Sequence, residues 1–251
     1  MSYGYSKKRK SKSLLIIAIL LLLGGVALLL VDPIKNHLRN QKVEEAIDII
    51  QSGIPTNVDQ NADPEELEEA VITMQVPKDA YEVDGEEYDY FGANEIENSA
   101  IGSELDQAYE DLPNYVTLVA LGILDIDSVD IHIPIWSEAS VVSLRYGGGH
   151  FINSAMPGDR GNCSILAHHM RHADTMFHNL DKVQIGDTIR VTSISGRVYN
   201  YIADEILIVS ARELPNYLEG DITDTKQITL VTCTYTSTGK MRLLVIGHID
   251  E

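Results

Sequence analysis

Residues 14–31 read LLIIAILLLLGGVALLLV, eighteen consecutive positions without a charge. At about 1.5 Å of rise per residue, a helix of that length covers about 27 Å, enough to cross the hydrocarbon core of a bilayer. Lys7, Lys8, Arg9, Lys10 and Lys12 precede the run, and positive flanks stay on the cytoplasmic side. A cleaved signal peptide is the competing reading. The run is longer than the apolar part of most signal peptides, however, and no small-x-small cleavage site follows it. An uncleaved single-span anchor is therefore expected over 14–31, with a cytoplasmic basic tail over 1–13 and the remaining chain outside the cell membrane.

That placement governs how the rest is read. Outside the cytoplasm disulfides can form, yet Cys163 and Cys233 are the only cysteines, too few for a disulfide scaffold. The formal net charge of -19 argues against nucleic acid as a partner. Beyond the span, residues 33–53 space Ile34, Leu38, Val43, Ala46 and Ile50 as a helix does, which predicts a short stalk prolonging the membrane helix. Between Glu44 and Asp111 stand 21 acidic residues against one basic residue, Lys78, the composition of a solvated and largely disordered linker. Within it, residues 63–75 (DPEELEEAVITMQ) carry a helix-start signal with Pro64 in the first turn. Residues 88–92 (YDYFG) are its aromatic patch, either a local contact or a segment that folds over a site. Residues 32–112 are thus expected to be helical stalk and acidic linker.

From Pro113 the texture changes. Runs such as YVTLVALGILDID, VDIHIPIW, CSILAH, DTIRVTSI, QITLVTC and RLLVIGHI are of strand length and rich in Val and Ile. Turn signals such as GGG (147–149) and PGDRGN (157–162) separate them. Seven or more short strands with little helix predict an all-β domain over 113–251, a closed barrel or sandwich long enough to bury one core.

The stretch TLVTCTYTSTGKMRLLVIG (229–247) reads as a β-hairpin, and a symmetric register sets Cys233 directly opposite Arg242. A guanidinium held beside a thiol can favour the thiolate or bind a carbonyl oxyanion. The same spacing also suits a buried cysteine beside a surface arginine. Five of the eight histidines fall in 150–178. His168, His169 and His172 would suit a metal site on a helix, but CSILA reads as a strand running into His168, and no nearby Cys or Glu completes a ligand set. On that strand, alternation puts Cys163, Ile165 and Ala167 on one face and Ser164, Leu166 and His168 on the other, which predicts two free thiols rather than a bridge.

These residues resemble those of the sortases, cysteine transpeptidases of Gram-positive cell surfaces. The family's Thr-Leu-x-Thr-Cys signature stands here as Thr229, Leu230, Val231, Thr232 and Cys233; its arginine matches Arg242 and its histidine matches His168, with Ala167 in a place usually held by Gly. The resemblance implies a closed eight-stranded sortase-type β-barrel preceded by the transmembrane helix and acidic stalk. It implies Cys233 as nucleophile, Arg242 as oxyanion and substrate ligand, His168 as proton donor and acceptor, and Thr232 as a substrate contact, with no cofactor or metal required. The expected activity is cleavage of a C-terminal LPXTG-like sorting signal and transfer of the acyl group to an amine of a cell wall precursor or a pilin. Class C and D features (GGGHFINSAMPG, RLLVIG) stand beside a class B-like HHMRHADTMFHNL. The Asp-Pro-aromatic lid of many pilin-polymerising members is missing, which favours wall anchoring. A cysteine endopeptidase, or a non-enzymatic membrane-tethered binding domain, remains the alternative reading.

Overall fold

The computed structural model describes residues 12–60, 71–78, 111, 113–169, 175–219, 224–237 and 239–249. One helix, α1 (Lys12–Gly53), precedes nine strands: β1 (Thr73–Pro77), β2 (Tyr115–Ile126), β3 (Ile131–Trp136), β4 (Gly148–His150), β5 (Gly161–Leu166), β6 (Thr188–Ser193), β7 (Val198–Val209), β8 (Lys226–Thr236) and β9 (Gly239–His248). They form one sheet in the order β1-β2-β3-β4-β5-β8-β9-β7-β6, and a further pairing of β2 with β6 closes its last eight members into a ring. Pairing is antiparallel except between β3 and β4 and between β5 and β8.

Gly122 marks the closure. It pairs with Ile135 on β3 and with Ser193 on β6, beside a register shift in β2. Its φ of 156° and the approach of β6 both exclude a side chain, since a Cβ there would stand 2.1 Å from the Thr192 carbonyl oxygen.

Alternation along the strands gives the ring two apolar layers. The inner one is the main core and includes Ile133, Ile165, Val191, Tyr201, Leu230 and Val245. A smaller cluster over β5, β8, β9 and β7 holds Leu166, Val231, Leu244 and Val209, covered by Leu214 and Leu218 of the β7–β8 connection. Cys163 and Ala167 belong to the main core while Leu166 belongs to the second cluster, as the alternation in CSILAH predicts.

The helix and the acidic segment depart from expectation. α1 runs without a break from the apolar residues through Pro33 to Gly53. Its second half packs on β2 and β3, where Val43, Ala46, Ile47 and Ile50 join the main core. Ile34 and Leu38, read as part of the same stripe, are exposed. Each buried Val or Ile contributes about 1.5–3 kcal/mol, so this half of α1 is part of the fold rather than a spacer. Thr73–Pro77, expected to be helix up to Gln75 and disordered linker beyond it, is an edge strand paired in register with Val119 to Tyr115. Met74 and Val76 face inward between exposed neighbours, a period-two pattern too short to stand out within the surrounding acidic run. The aromatic patch at 88–92 and most of the acidic linker lie outside the described residues.

Candidate active site

Two neighbouring strands and the chain just past a third carry the three expected catalytic residues. On β8 and β9, Cys233 pairs directly with Arg242, the register that a symmetric hairpin predicts. β5 lies parallel to β8 on the other side, with Leu166 opposite Val231. Two residues beyond that pair, on the same face, come His168 and Cys233. Histidine, cysteine and arginine therefore stand in a row across β5, β8 and β9, on the face that carries the second apolar cluster.

The chain just past β5 is tied down on both sides. Ala167 donates its N–H to the Val231 carbonyl at 3.1 Å, and the Thr232 hydroxyl donates to the Ala167 carbonyl at 2.8 Å. His168 in turn accepts the Phe177 N–H on its carbonyl at 3.1 Å, which closes the loop that follows. Thr232 is fully buried, and alternation turns it to the face opposite Cys233. Its hydroxyl thus bonds the backbone that delivers His168. His172 lies outside the described residues, and among those residues no group of three or more His, Cys, Asp or Glu is arranged to hold a metal ion.

The wall beside the site is built on side-chain to backbone bonds. Asn162 Nδ2 donates to the Tyr217 carbonyl at 2.8 Å and Ser164 Oγ donates to the Leu218 carbonyl at 2.9 Å. Thr229 Oγ1 donates to Asn162 Oδ1 at 2.8 Å, so β8 helps orient that clamp. Together these bonds hold the short 3-10 turn Leu214–Tyr217 over the face that carries Cys233.

The two cysteines differ sharply. Both are free thiols, Cys233 half-buried and Cys163 1% exposed. Burial, aided by the carboxylate of Asp159, pushes the Cys163 thiol far above the usual range and leaves it inert. Arg242 is fully buried beside Cys233 and donates Nη1–H to its neighbour's carbonyl, Met241, at 3.2 Å.

His168 is buried, 9% exposed. Burial, followed by the positive charges of Arg39, Arg145 and Lys240, lowers its pKa from 6.5 to about 4. Sequence reasoning missed Arg39 and Arg145. Arg39 could have been found, because it stands four residues before Val43 on the face that continues through Ala46 and Ile50. Arg145 carried no such signal; it is 1% exposed in a 3-10 turn and donates Nη1–H to the Lys78 carbonyl just past β1.

The lowered pKa has a consequence for stability. A histidine held neutral by the fold is protonated in the unfolded chain below pH 6.5, so the unfolded state binds more protons between pH 6.5 and about 4. The contribution of His168 is complete above pH 6.5 and is lost as the pH falls toward 4, by about 3 kcal/mol at most. His168→Gln cannot titrate. In urea unfolding at pH 7 and pH 4.5, the wild-type protein should lose about 2 kcal/mol more than the variant. Equal losses in the two proteins would mean that His168 is not held neutral.

Comparison with known proteins matches this arrangement. The Sortase domain family model matches residues 124–250, half of the chain, a range that takes in His168, Cys233 and Arg242. Sortase A of Listeria monocytogenes is 25% identical over 138 residues, which are 55% of this chain and 60% of that protein. Sortase A of Streptococcus agalactiae is 27% identical over 153 residues, 59% of this chain and 57% of that protein. The chain thus spans less than two thirds of the length of these relatives. Among solved structures, sortase C1 of Streptococcus agalactiae is 30% identical with a TM-score of 0.46, covering 52% of this chain and 67% of that one. The sortase D5 transpeptidase of Clostridium perfringens is 29% identical with a TM-score of 0.46, covering 65% of this chain and 96% of that one. With the family's domain matched from β2 to β9 and the cysteine, arginine and histidine strands adjacent in the ring, the chain belongs to the sortase family.

Proposed function

We propose that this protein is a membrane-anchored cysteine transpeptidase. It cleaves a C-terminal LPXTG-like sorting signal of secreted proteins and transfers the acyl group to an amine of a cell wall precursor or a pilin. The observation that carries this reading is the row of His168, Cys233 and Arg242 across three adjacent strands, with the half-buried thiol in direct register with a buried guanidinium. The anchor is residues 14–31 of α1, whose side chains are exposed along the whole apolar run.

The chemistry follows from the charge states. With His168 neutral at pH 7, the Cys233 sulfur attacks the scissile carbonyl carbon as its proton passes to the imidazole. Arg242 donates hydrogen bonds to the oxyanion that forms. The imidazolium returns the proton to the leaving nitrogen as the C–N bond breaks, leaving a thioester on Cys233. An incoming amine then attacks the thioester, His168 takes its proton, and the Cys233 thiol is regenerated. Water in place of the amine would make the protein an endopeptidase.

The test is to incubate the protein with sorting-signal peptides and candidate amines and to identify products by mass spectrometry. An amine-ligated acyl peptide supports the reading. Hydrolysed peptide alone points to the endopeptidase, and intact peptide across the library to a binding domain.

Thr232 is proposed as a positioning residue, because its hydroxyl bonds the residue before His168. Thr232→Val keeps the shape and removes the donor, and should lower kcat by about 5- to 10-fold with KM unchanged, while Thr232→Ser should recover most of the loss. A rise in KM at constant kcat would instead make Thr232 a substrate ligand.

A further inference from the structure

A chain of hydrogen bonds leaves the wall of the active site and ends at the surface. Going outward from the 3-10 turn, Asn162 Nδ2 donates to the Tyr217 carbonyl, Thr229 Oγ1 donates to Asn162 Oδ1, and Gln227 Nε2 donates to Thr229 Oγ1 at 3.2 Å. Gln227 Oε1 stands 3.0 Å from His248 Nε2, and His248 Nδ1 meets the Asp204 carboxylate, both side chains being partly exposed. Strand pairing makes the row. Asn162 on β5 lies opposite Gln227 on β8, Gln227 lies opposite His248 on β9, and Asp204 sits at the register shift where β7 follows β9. These side chains form a polar layer on one side of the Leu166, Val231 and Leu244 cluster, and the catalytic row lies on the other.

The direction of every bond is fixed from the inner end. A carbonyl only accepts, so Asn162 turns its amide nitrogen to Tyr217 and its oxygen to Thr229. Thr229 gives its single proton to that oxygen, which leaves Gln227 its nitrogen to offer Thr229 and its oxygen to offer His248. His248 therefore needs one proton on Nε2 to reach Gln227 and another on Nδ1 to reach the carboxylate, and only the imidazolium carries both. When one proton leaves, Asp204 retains the one on Nδ1, and the lone pair on Nε2 then opposes Gln227 Oε1. If Gln227 turns over to relieve this, its oxygen draws the Thr229 proton away from Asn162. Thr229 and Asn162 are 0% and 7% exposed, so no bulk water replaces the lost bond. Facing His248 are Asp204 from β7 and Gln227 from β8; Glu205 and Lys226 are the next charged residues along those strands, and Asp250 and Glu251 follow in its own segment of chain.

We propose that Asn162, Thr229 and Gln227 are positioning residues for the wall of the active site, and that the Asp204–His248 pair at their outer end holds this wall firmly when His248 is protonated and loosens it when His248 is neutral. What the wall binds rests on the transpeptidase reading above. The acyl donor is then held more tightly in acidic surroundings than in alkaline ones.

The test follows backbone amide exchange over residues 210–219 by mass spectrometry in the full chain, wild type and His248→Gln, at about pH 6 and about pH 8.5, a span over which histidines ordinarily change charge. Glutamine keeps an N–H donor and cannot change its charge. The ratio of wild-type to variant rates cancels the intrinsic effect of pH and should rise about 5-fold or more across that span. Thr229→Val, in which no proton reaches Asn162, should exchange rapidly at both pH values, and Thr229→Ser should restore the pH dependence. Affinity for a fluorescent LPATG peptide, measured in the Cys233→Ala background so that the nucleophile does not titrate, should fall by about the same factor, and should not fall when His248→Gln is added. A wild-type to His248→Gln exchange ratio that stays flat with pH would overturn the proposal, whether or not the Thr229 variants fold. A ratio that rises as expected while the peptide binds at neither pH would support the relay and sink the transpeptidase reading of the wall.

Discussion

Cys233→Ala should abolish the proposed peptide cleavage and amine ligation, while the protein stays folded. The thiol lies near the end of β8, half-buried, on the outer face of the ring, so alanine there removes one sulfur atom and leaves the main core intact. A change of this kind costs about 1 kcal/mol or less, a shift of a few degrees in melting temperature for a domain of this size. The chemical loss is of another order, because without the sulfur no thioester forms and the remaining groups can only polarise a bound peptide. Cys163→Ala is the internal control. That thiol sits in the main core, so the variant should keep full turnover and lose about 1 kcal/mol of stability. Iodoacetamide separates the two thiols in the same way, with Cys233 modified in the native protein and Cys163 only after denaturation. Turnover that survives Cys233→Ala would end the covalent mechanism and, with it, the assignment of the row of three residues.

Much of the site was legible because it depends on local pairing. A hairpin's register follows from its own sequence, so Cys233 opposite Arg242 could be read without knowing what lies elsewhere. The faces of β5 were equally legible, since strict alternation put Cys163 and Ala167 into the core and aimed His168 outward. What could not be read depends on residues far apart in the chain. β1 lies 42 residues before the start of β2, counted from Thr73 to Tyr115, and only that pairing reveals two buried side chains inside an acidic run. α1 was legible as a helix but not as a packed one. Its exposed Ile34 and Leu38 and its buried Arg39 reverse the order that apolar periodicity predicts, because the ring meets the helix only from about Asn36 onward. The bond that Thr232 makes was hidden for a similar reason: the motif draws attention to the residue beside the nucleophile, while its hydroxyl meets the Ala167 carbonyl, 65 positions away in the chain.

Arg242→Lys should lower kcat by about 100-fold with a much smaller change in KM. The argument begins with burial. Arg242 is 0% exposed between Val209 on β7 and Cys233 on β8, one of the largest fully buried side chains in the protein. A guanidinium held there is costly to desolvate and is tolerated only where its planar donors are met, as Nη1–H is by the Met241 carbonyl. The cost is repaid in catalysis if the remaining donors converge on the point where the oxyanion forms beside the sulfur. Lysine keeps the positive charge, so a role as a simple counter-ion to a thiolate would survive the change. Its ammonium is a point donor on a flexible stem and cannot hold two hydrogen bonds in one plane, so geometric stabilisation of the oxyanion would not survive. The effect belongs to the transition state, which is why kcat falls rather than affinity. Melting temperatures of both proteins, measured at the assay pH, establish that the variant is folded where its rate is compared. A variant that is folded and turns over at the wild-type rate would reduce Arg242 to a counter-charge and leave the oxyanion to other donors; a rise in KM with kcat intact would make it a ligand of the bound peptide alone.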